Sequence, residues 1–227
     1  MRNSMIAGIS FVALALVGFS HGAAADSHAP TVAAPPQFGV GTVVVGDLTV
    51  NGTTQRITSN MIEKFELDGR TVDHYDVSPP VPNPGHPCDG ETHTYWDAAT
   101  HNWIGCLAGG KILGQNRPYG GRYMWPMEVG KEWRWDAGWV DNVLHPEWGG
   151  TYWADYKVAA YEEVTVPAGT FMAFRVMQYR AEFDTWRETN WFAPELGLTV
   201  KSAWKRSRND GYGPVDGGWE LVSFEPK

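Results

Sequence analysis

The residues able to do chemistry gather first around the two cysteines. His74, His86, His93 and His101 share one stretch of chain with Cys88 and Cys106. Imidazole and thiolate are common ligands of zinc and copper, but none of these residues repeats at the short spacings that close a metal site. No metal and no other cofactor is expected, and His93 with His101, on facing arms of one hairpin, is the pair to test. Carboxylates are the second source of chemistry. Glu182 with Asp184, Glu188 with Glu195, and Asp136 with Asp141 lie near tryptophans, as the acid and base of a glycan-cleaving site would. No spacing fixes any two of them, and an acidic chain offers such pairs by chance. There is no Gly-x-Ser-x-Gly elbow and no phosphate-cradling glycine loop, so no catalytic residue is assigned.

Binding is the chemistry that the aromatic residues suggest. The chain holds 12 Trp, 9 Tyr and 9 Phe. Within Glu132–Val140 the residues Trp133, Trp135, Ala137 and Trp139 fall at period two, so a strand there lines one sheet face with three indoles. Phe171 and Tyr179 extend the aromatic set on a neighbouring strand. If these five side chains border a partly filled interior, they form a site for a lipid or other apolar ligand. If the interior is full, they are core.

The elements that must position them are strands. Thr42–Val50 and Gln55–Leu67 flank an Asn51-Gly52 turn, and Thr71–Val77 follows Asp68-Gly69, both favoured hairpin pairs. Thr92–Trp96 and Asn102–Leu107 form the next hairpin, after a Ser78–Gly90 segment whose five prolines mark a surface loop. Strands are expected at Glu132–Val140, Thr151–Val158, Tyr161–Val166, Thr170–Phe183, Thr185–Ala193, Leu198–Lys205 and Trp219–Phe224. Only Asp155–Glu163 is open to a helical reading. The fold class is all-β: a single curved antiparallel sheet forming a half-barrel or open barrel, since a flat sheet this long leaves its edges open.

Residues 1–25 have the Arg2, Met5–Phe19 and Ala23-Ala24-Ala25 pattern of a secretory signal peptide. Residues 26–39 read as a flexible arm and 40–227 as one β domain. The protein is expected in the periplasm or outside the cell, not spanning a membrane. In that oxidising compartment Cys88 and Cys106 are expected to form a disulfide, worth about 3 kcal/mol for the loop it closes. The net charge of −8 argues against nucleic acid as partner.

The C-terminal part, about residues 124–227, carries a set of linked motifs. They are Val166-Pro167-Ala168-Gly169-Thr170-Phe171, the later Trp191-Phe192-Ala193-Pro194-Glu195-Leu196-Gly197, a Pro126–Trp133 segment and a closing Glu220-Leu221-Val222-Ser223-Phe224. This resembles bacterial exported domains of unknown function whose fold is similar to the lipoprotein-localisation carriers. The resemblance implies a strongly bent antiparallel sheet with an apolar concave face and no catalytic residues. The reading is an exported noncatalytic protein binding a hydrophobic ligand or a cell-envelope partner. The alternatives are an envelope glycan-binding or glycan-cleaving protein, and a structural or assembly module without ligand.

Overall fold

The computed structural model describes residues 29–82, 88–108, 111–113, 115–117, 121–140, 149–181, 186–206 and 215–227. These form thirteen strands in one sheet: β1 (Val43–Val50), β2 (Thr53–Leu67), β3 (Arg70–Val81), β4 (Glu91–Asp97), β5 (Trp103–Ala108), β6 (Lys111–Leu113), β7 (Gln115–Arg117), β8 (Glu132–Val140), β9 (Gly149–Val166), β10 (Gly169–Ala181), β11 (Trp186–Ala193), β12 (Leu198–Arg206) and β13 (Val215–Glu225). Their order is β6-β5-β4-β3-β2-β1-β13-β12-β11-β10-β9-β8-β7. Every ladder in that order is antiparallel.

The turns follow the sequence signals. Asn51 and Gly52 have φ of 49° and 81°, and Asp68 and Gly69 have 51° and 76°, the paired positive values that suit a two-residue hairpin to the right-handed twist of its strands. Pro167 and Ala168 make a third two-residue loop, without positive φ at either residue, between the paired Val166 and Gly169. Two expectations are corrected. The region open to a helical reading lies inside β9, which runs unbroken through both strands expected there, with a register shift opposite Arg175/Val176. The proline segment is loop only in part, because β3 continues to Val81. Its ladder with β4 lapses between Asp76 and Val81, where Pro79 and Pro80 are exposed and have no N–H to give.

The sheet is open and curved, and its edges are neighbours. β6 and β7 are separated by one residue of sequence yet stand at opposite ends of the strand order, so 111–117 pairs first with β5 and then with β8. Beside this seam Asn102 holds Tyr123 from both sides: its Nδ2 donates to the Tyr123 carbonyl at 2.9 Å and its Oδ1 accepts the Tyr123 N–H at 2.9 Å. Trp125 donates its indole N–H to the Thr100 carbonyl at 3.0 Å.

The face that curls inward is filled by the chain itself. One cluster packs Tyr123 and Met127, from the 121–129 segment, on Trp133, Tyr156, Val158, Phe174 and Phe192. A second gathers Leu48, Ile57, Met61, Tyr75 and Val77. A third, Val164, Val166, Ala193, Val200 and Leu221 with Trp191 packed against it, lies where the β9–β10 hairpin meets β12 and β13, the Ala168 N–H donating to the Leu221 carbonyl at 3.0 Å. The segment read as a flexible arm is tied down from Val32 onward. Val32 exchanges two backbone hydrogen bonds with Met127, at 2.9 and 2.8 Å, and Gly39 donates to the Lys227 carbonyl at 2.7 Å. Phe38 packs against the second and third clusters, stacks on His101 at 5.2 Å and meets Phe224 edge-on at 5.3 Å. An arm lacking periodicity is ordered here because its few apolar residues fall into sites built by the sheet, which no local pattern reveals. Residues 1–28, with the expected signal peptide, lie outside the described residues.

Candidate functional site

Register fixes which residues share a face. On the inward face one row crosses β8 to β1: Trp133 opposite Tyr156, Tyr156 opposite Gln178, then Glu188 opposite Trp204, Trp204 opposite Gly217 and Gly217 opposite Val50. Trp133 stacks on Tyr156 at 5.6 Å with its ring 12° from parallel, and its indole N–H donates to the Gly121 carbonyl at 2.7 Å. A Cβ at Gly121 would strike Trp135, so the glycine lets the 121–129 segment lie flat on the indoles. Arg122 then projects onto Glu188 as a fork, Nε at 3.0 Å and Nη2 at 3.1 Å. Burial opposes the guanidinium charge, and Glu188 more than compensates, so the Arg122 pKa stands above its ordinary value.

The aromatic residues singled out from the sequence therefore go to different places. Trp133 belongs to the first cluster and Trp135 packs against it. Phe171 packs against the third cluster. Tyr179 sits on the opposite face, donating to Glu132 at 3.4 Å, with the Lys157 ammonium 5.9 Å from its ring centroid. The side chain of Trp139 is outside the described residues, although its backbone pairs with Gly150. Glu182, Asp184, Asp141, His86 and the side chain of Trp186 are likewise outside them. Cys88 and Cys106 are bonded, their Cα atoms 5.9 Å apart. His93 and His101 are not brought together. His101 is half-buried beside Phe38, its Nδ1 2.8 Å from the Gly197 carbonyl, and desolvation there pushes its pKa below the usual imidazole value.

The outward face holds what the sequence pattern did not single out. Met177 pairs with Thr189, Thr189 with Ala203, Ala203 with Gly218, Gly218 with Thr49 and Thr49 with Thr54. Six strands thus contribute a row dominated by small residues, the floor of a shallow trough. A depression of about 500 Å³ lies along it, over Thr49, Thr54, Ala203 and Gly218; a smaller one of about 260 Å³ adjoins it at Met177, Thr189 and Ala203 and also touches Gln178, Glu188 and Trp204 of the inward row. The walls are charged pairs in cross-strand register: Lys201 with Glu220 at 2.7 Å, Lys205 with Asp216 at 3.5 Å, and Arg56 with Asp47 at 2.9 Å. Trp191 stands in the Lys201 wall, directly opposite Lys201 across the ladder, with the ammonium 5.9 Å from its ring and its N–H on Glu162 at 2.8 Å. The Arg56 hydrogen bond holds the Asp47 carboxyl below the usual carboxylate range. A carboxylate held as Asp47 is held stays ionised, which suits recognition of polar groups better than proton transfer. Spacing along one strand could not show this trough, because it exists only across strands.

No family model matches the sequence, and no curated protein matches it. Among solved structures the chain is similar to a protein of YmcC-like fold from Bacteroides fragilis, described as exported, at 11% identity over 85% of this chain and 99% of that one, with a TM-score of 0.39. It is also similar to a protein from Parabacteroides distasonis described as a lipoprotein, at 12% identity over 86% and 100%, TM-score 0.40. A third is the hypothetical lipoprotein YmcC from Escherichia coli, at 13% identity over 83% and 90%, TM-score 0.39. Among the described residues no helix is long and apolar enough to cross a membrane.

Proposed function

We propose that this is an exported, noncatalytic protein that binds a cell-envelope partner along the outer trough, with the inside of the curled sheet serving as its core. The observation that carries the reading is the division of the two faces. The inward face is covered by the chain's own 29–39 and 121–129 segments, whereas the outward face offers a floor of Thr49, Thr54, Thr189, Ala203 and Gly218 between charged walls. An acyl chain gains nothing from such walls, since burying an ion pair under hydrocarbon costs its hydration. An elongated polar ligand fits them, and a glycan strand is the class best matched: hydroxyls and paired charges meet its hydroxyls, and Trp191 offers an aromatic edge. Export rests on the leader pattern of residues 1–25.

A second reading, an apolar or amphipathic ligand inside the sheet, is favoured by one observation. Asn190 is 2% exposed and its Nδ2 finds no protein acceptor, a position that a bound polar group would satisfy. One experiment separates the two. The purified chain is titrated with soluble envelope glycans, and native mass spectrometry is run on the same material. Saturable glycan binding that is lost in Ala203→Arg, a substitution at an exposed floor position, supports the trough. A co-purifying lipid adduct, with glycan binding absent, overturns it in favour of the interior.

A further inference from the structure

The two histidines that do meet lie on the outer side of the β2–β3–β4 wing, away from the trough. β3 and β4 pair in antiparallel register with His74 opposite Tyr95 and Asp76 opposite His93. The diagonal brings His74 Nε2 to 3.1 Å from His93 Nδ1. On its other side His74 Nδ1 lies 3.4 Å from Glu63 Oε2, and its ring stacks on Tyr95 at 4.6 Å. His74 is thus gripped by its neighbours, with a side chain 12% exposed, while His93 at 33% remains open to solvent.

We propose that His74 Nε2 and His93 Nδ1 chelate one divalent transition-metal ion of the zinc class. The argument is geometric. Two nitrogens each about 2.0–2.1 Å from a metal are separated by roughly 2.9 Å at a right angle and 3.3 Å at the tetrahedral angle, and the observed 3.1 Å falls between these values. The second shell is in place as well. A ligating histidine commonly donates its other ring N–H to a carboxylate, which fixes the tautomer and raises ligand basicity; Glu63 holds that position on His74. Proton balance needs no reactant. Without metal, the tautomer that directs His74 Nδ1–H at Glu63 leaves His74 Nε2 to accept from His93 Nδ1–H. With metal, His93 carries its proton on Nε2 instead, and two neutral imidazoles present two lone pairs. Asp76 Oδ1 stands 4.0 Å from the same His93 Nδ1, but among the described residues no three such side chains come together to hold a metal, so water completes the coordination. Sequence spacing could not show this pair, because 19 residues separate its members and only the β3–β4 register joins them.

The test is a Zn²⁺ titration of the exported chain by calorimetry, with the stoichiometry read by native mass spectrometry. A free amine at Asp26 with His28 at the third position would itself chelate copper and nickel, so zinc is the probe and all measurements use a His28→Ala background. The expected result is one Zn²⁺ per chain, lost in His93→Ala and weakened 10- to 100-fold in Glu63→Gln. The melting temperature of the reference chain should rise with Zn²⁺, and that of His93→Ala should not. His93 is partly exposed and gives His74 a single hydrogen bond, so its removal should lower the metal-free melting temperature by only a few degrees; if His93→Ala fails to fold, His93→Gln replaces it. Zinc binding of undiminished affinity in the His93 variant, or no binding at millimolar zinc, overturns the proposal.

Discussion

Arg122 and Glu188 test whether the inward face is a closed core. Glu188 is 7% exposed and Arg122 30%, so the two partners should not cost the same to remove. Arg122→Met leaves a buried carboxylate without its cation, an error that costs roughly 3–5 kcal/mol in a fully enclosed site. Since Arg122 reaches some solvent, the low end applies, about 3 kcal/mol. For a chain of this length each kcal/mol lowers the melting temperature by roughly 2–4 °C, so a fall of about 6–12 °C is expected. With a urea slope near 2 kcal/mol/M the midpoint moves by about 1.5 M. Glu188→Leu leaves the guanidinium, which can still turn toward water, and should cost about 1 kcal/mol. The double variant removes both charges and fills the space with hydrocarbon, and should lie within about 1 kcal/mol of the parent. Urea unfolding of the four proteins gives the coupling directly. An Arg122→Met chain as stable as the parent would show that the row is open to water. A double variant as unstable as the worse single would show that the pair holds the 121–129 segment by geometry, not by charge.

Reducing the Cys88–Cys106 bridge, which closes a separation of 18 residues, should cost about 3 kcal/mol, read as a lower melting temperature under reductant; no change would mean that β5 is held by its ladders alone. Gly46→Ala places a methyl where the Trp219 ring now lies, and overpacking of this kind should cost roughly 1–3 kcal/mol, with Gly52→Ala, whose added Cβ meets no neighbour but whose φ is 81°, as a strain-only comparison in the same unfolding assay. His101 has a folded pKa below the ordinary 6.5, so the unfolded chain takes up its proton first. Its contribution is constant above about pH 6.5, falls as pH drops through that value toward the folded pKa, and then levels. A melting-temperature profile from pH 8 to 5 should therefore be flatter in His101→Asn, a residue that tolerates the φ of 55° found there. Equal slopes would remove His101 as the cause.

What the sequence made legible was what is local along the chain. Asn51-Gly52 and Asp68-Gly69 announced hairpins because left-handed backbone is cheap at those residues, and the Glu132–Val140 parity put Trp133 and Trp135 on one face because a strand alternates strictly. The use of that face was not legible. Whether an indole borders a cavity or a core depends on what lies against it, and here that is Gly121, 12 residues upstream of Trp133, together with Tyr156 across the ladder. The same holds for the arm. Phe38 has no apolar neighbour at a repeating interval, yet it lies between a cluster built mainly on β1–β3 and another assembled from strands far along the chain. The trough and the His74–His93 pair are both properties of register. Thr54, Thr49, Gly218, Ala203 and Thr189 read in order make no motif, since Gly218 stands between Thr49 and Ala203 only after β13 has returned to pair with β1 and β12. The return of the last strand to the side of the first brings residues 49 and 218 together, and functional surfaces made in that way have no signature shorter than the fold.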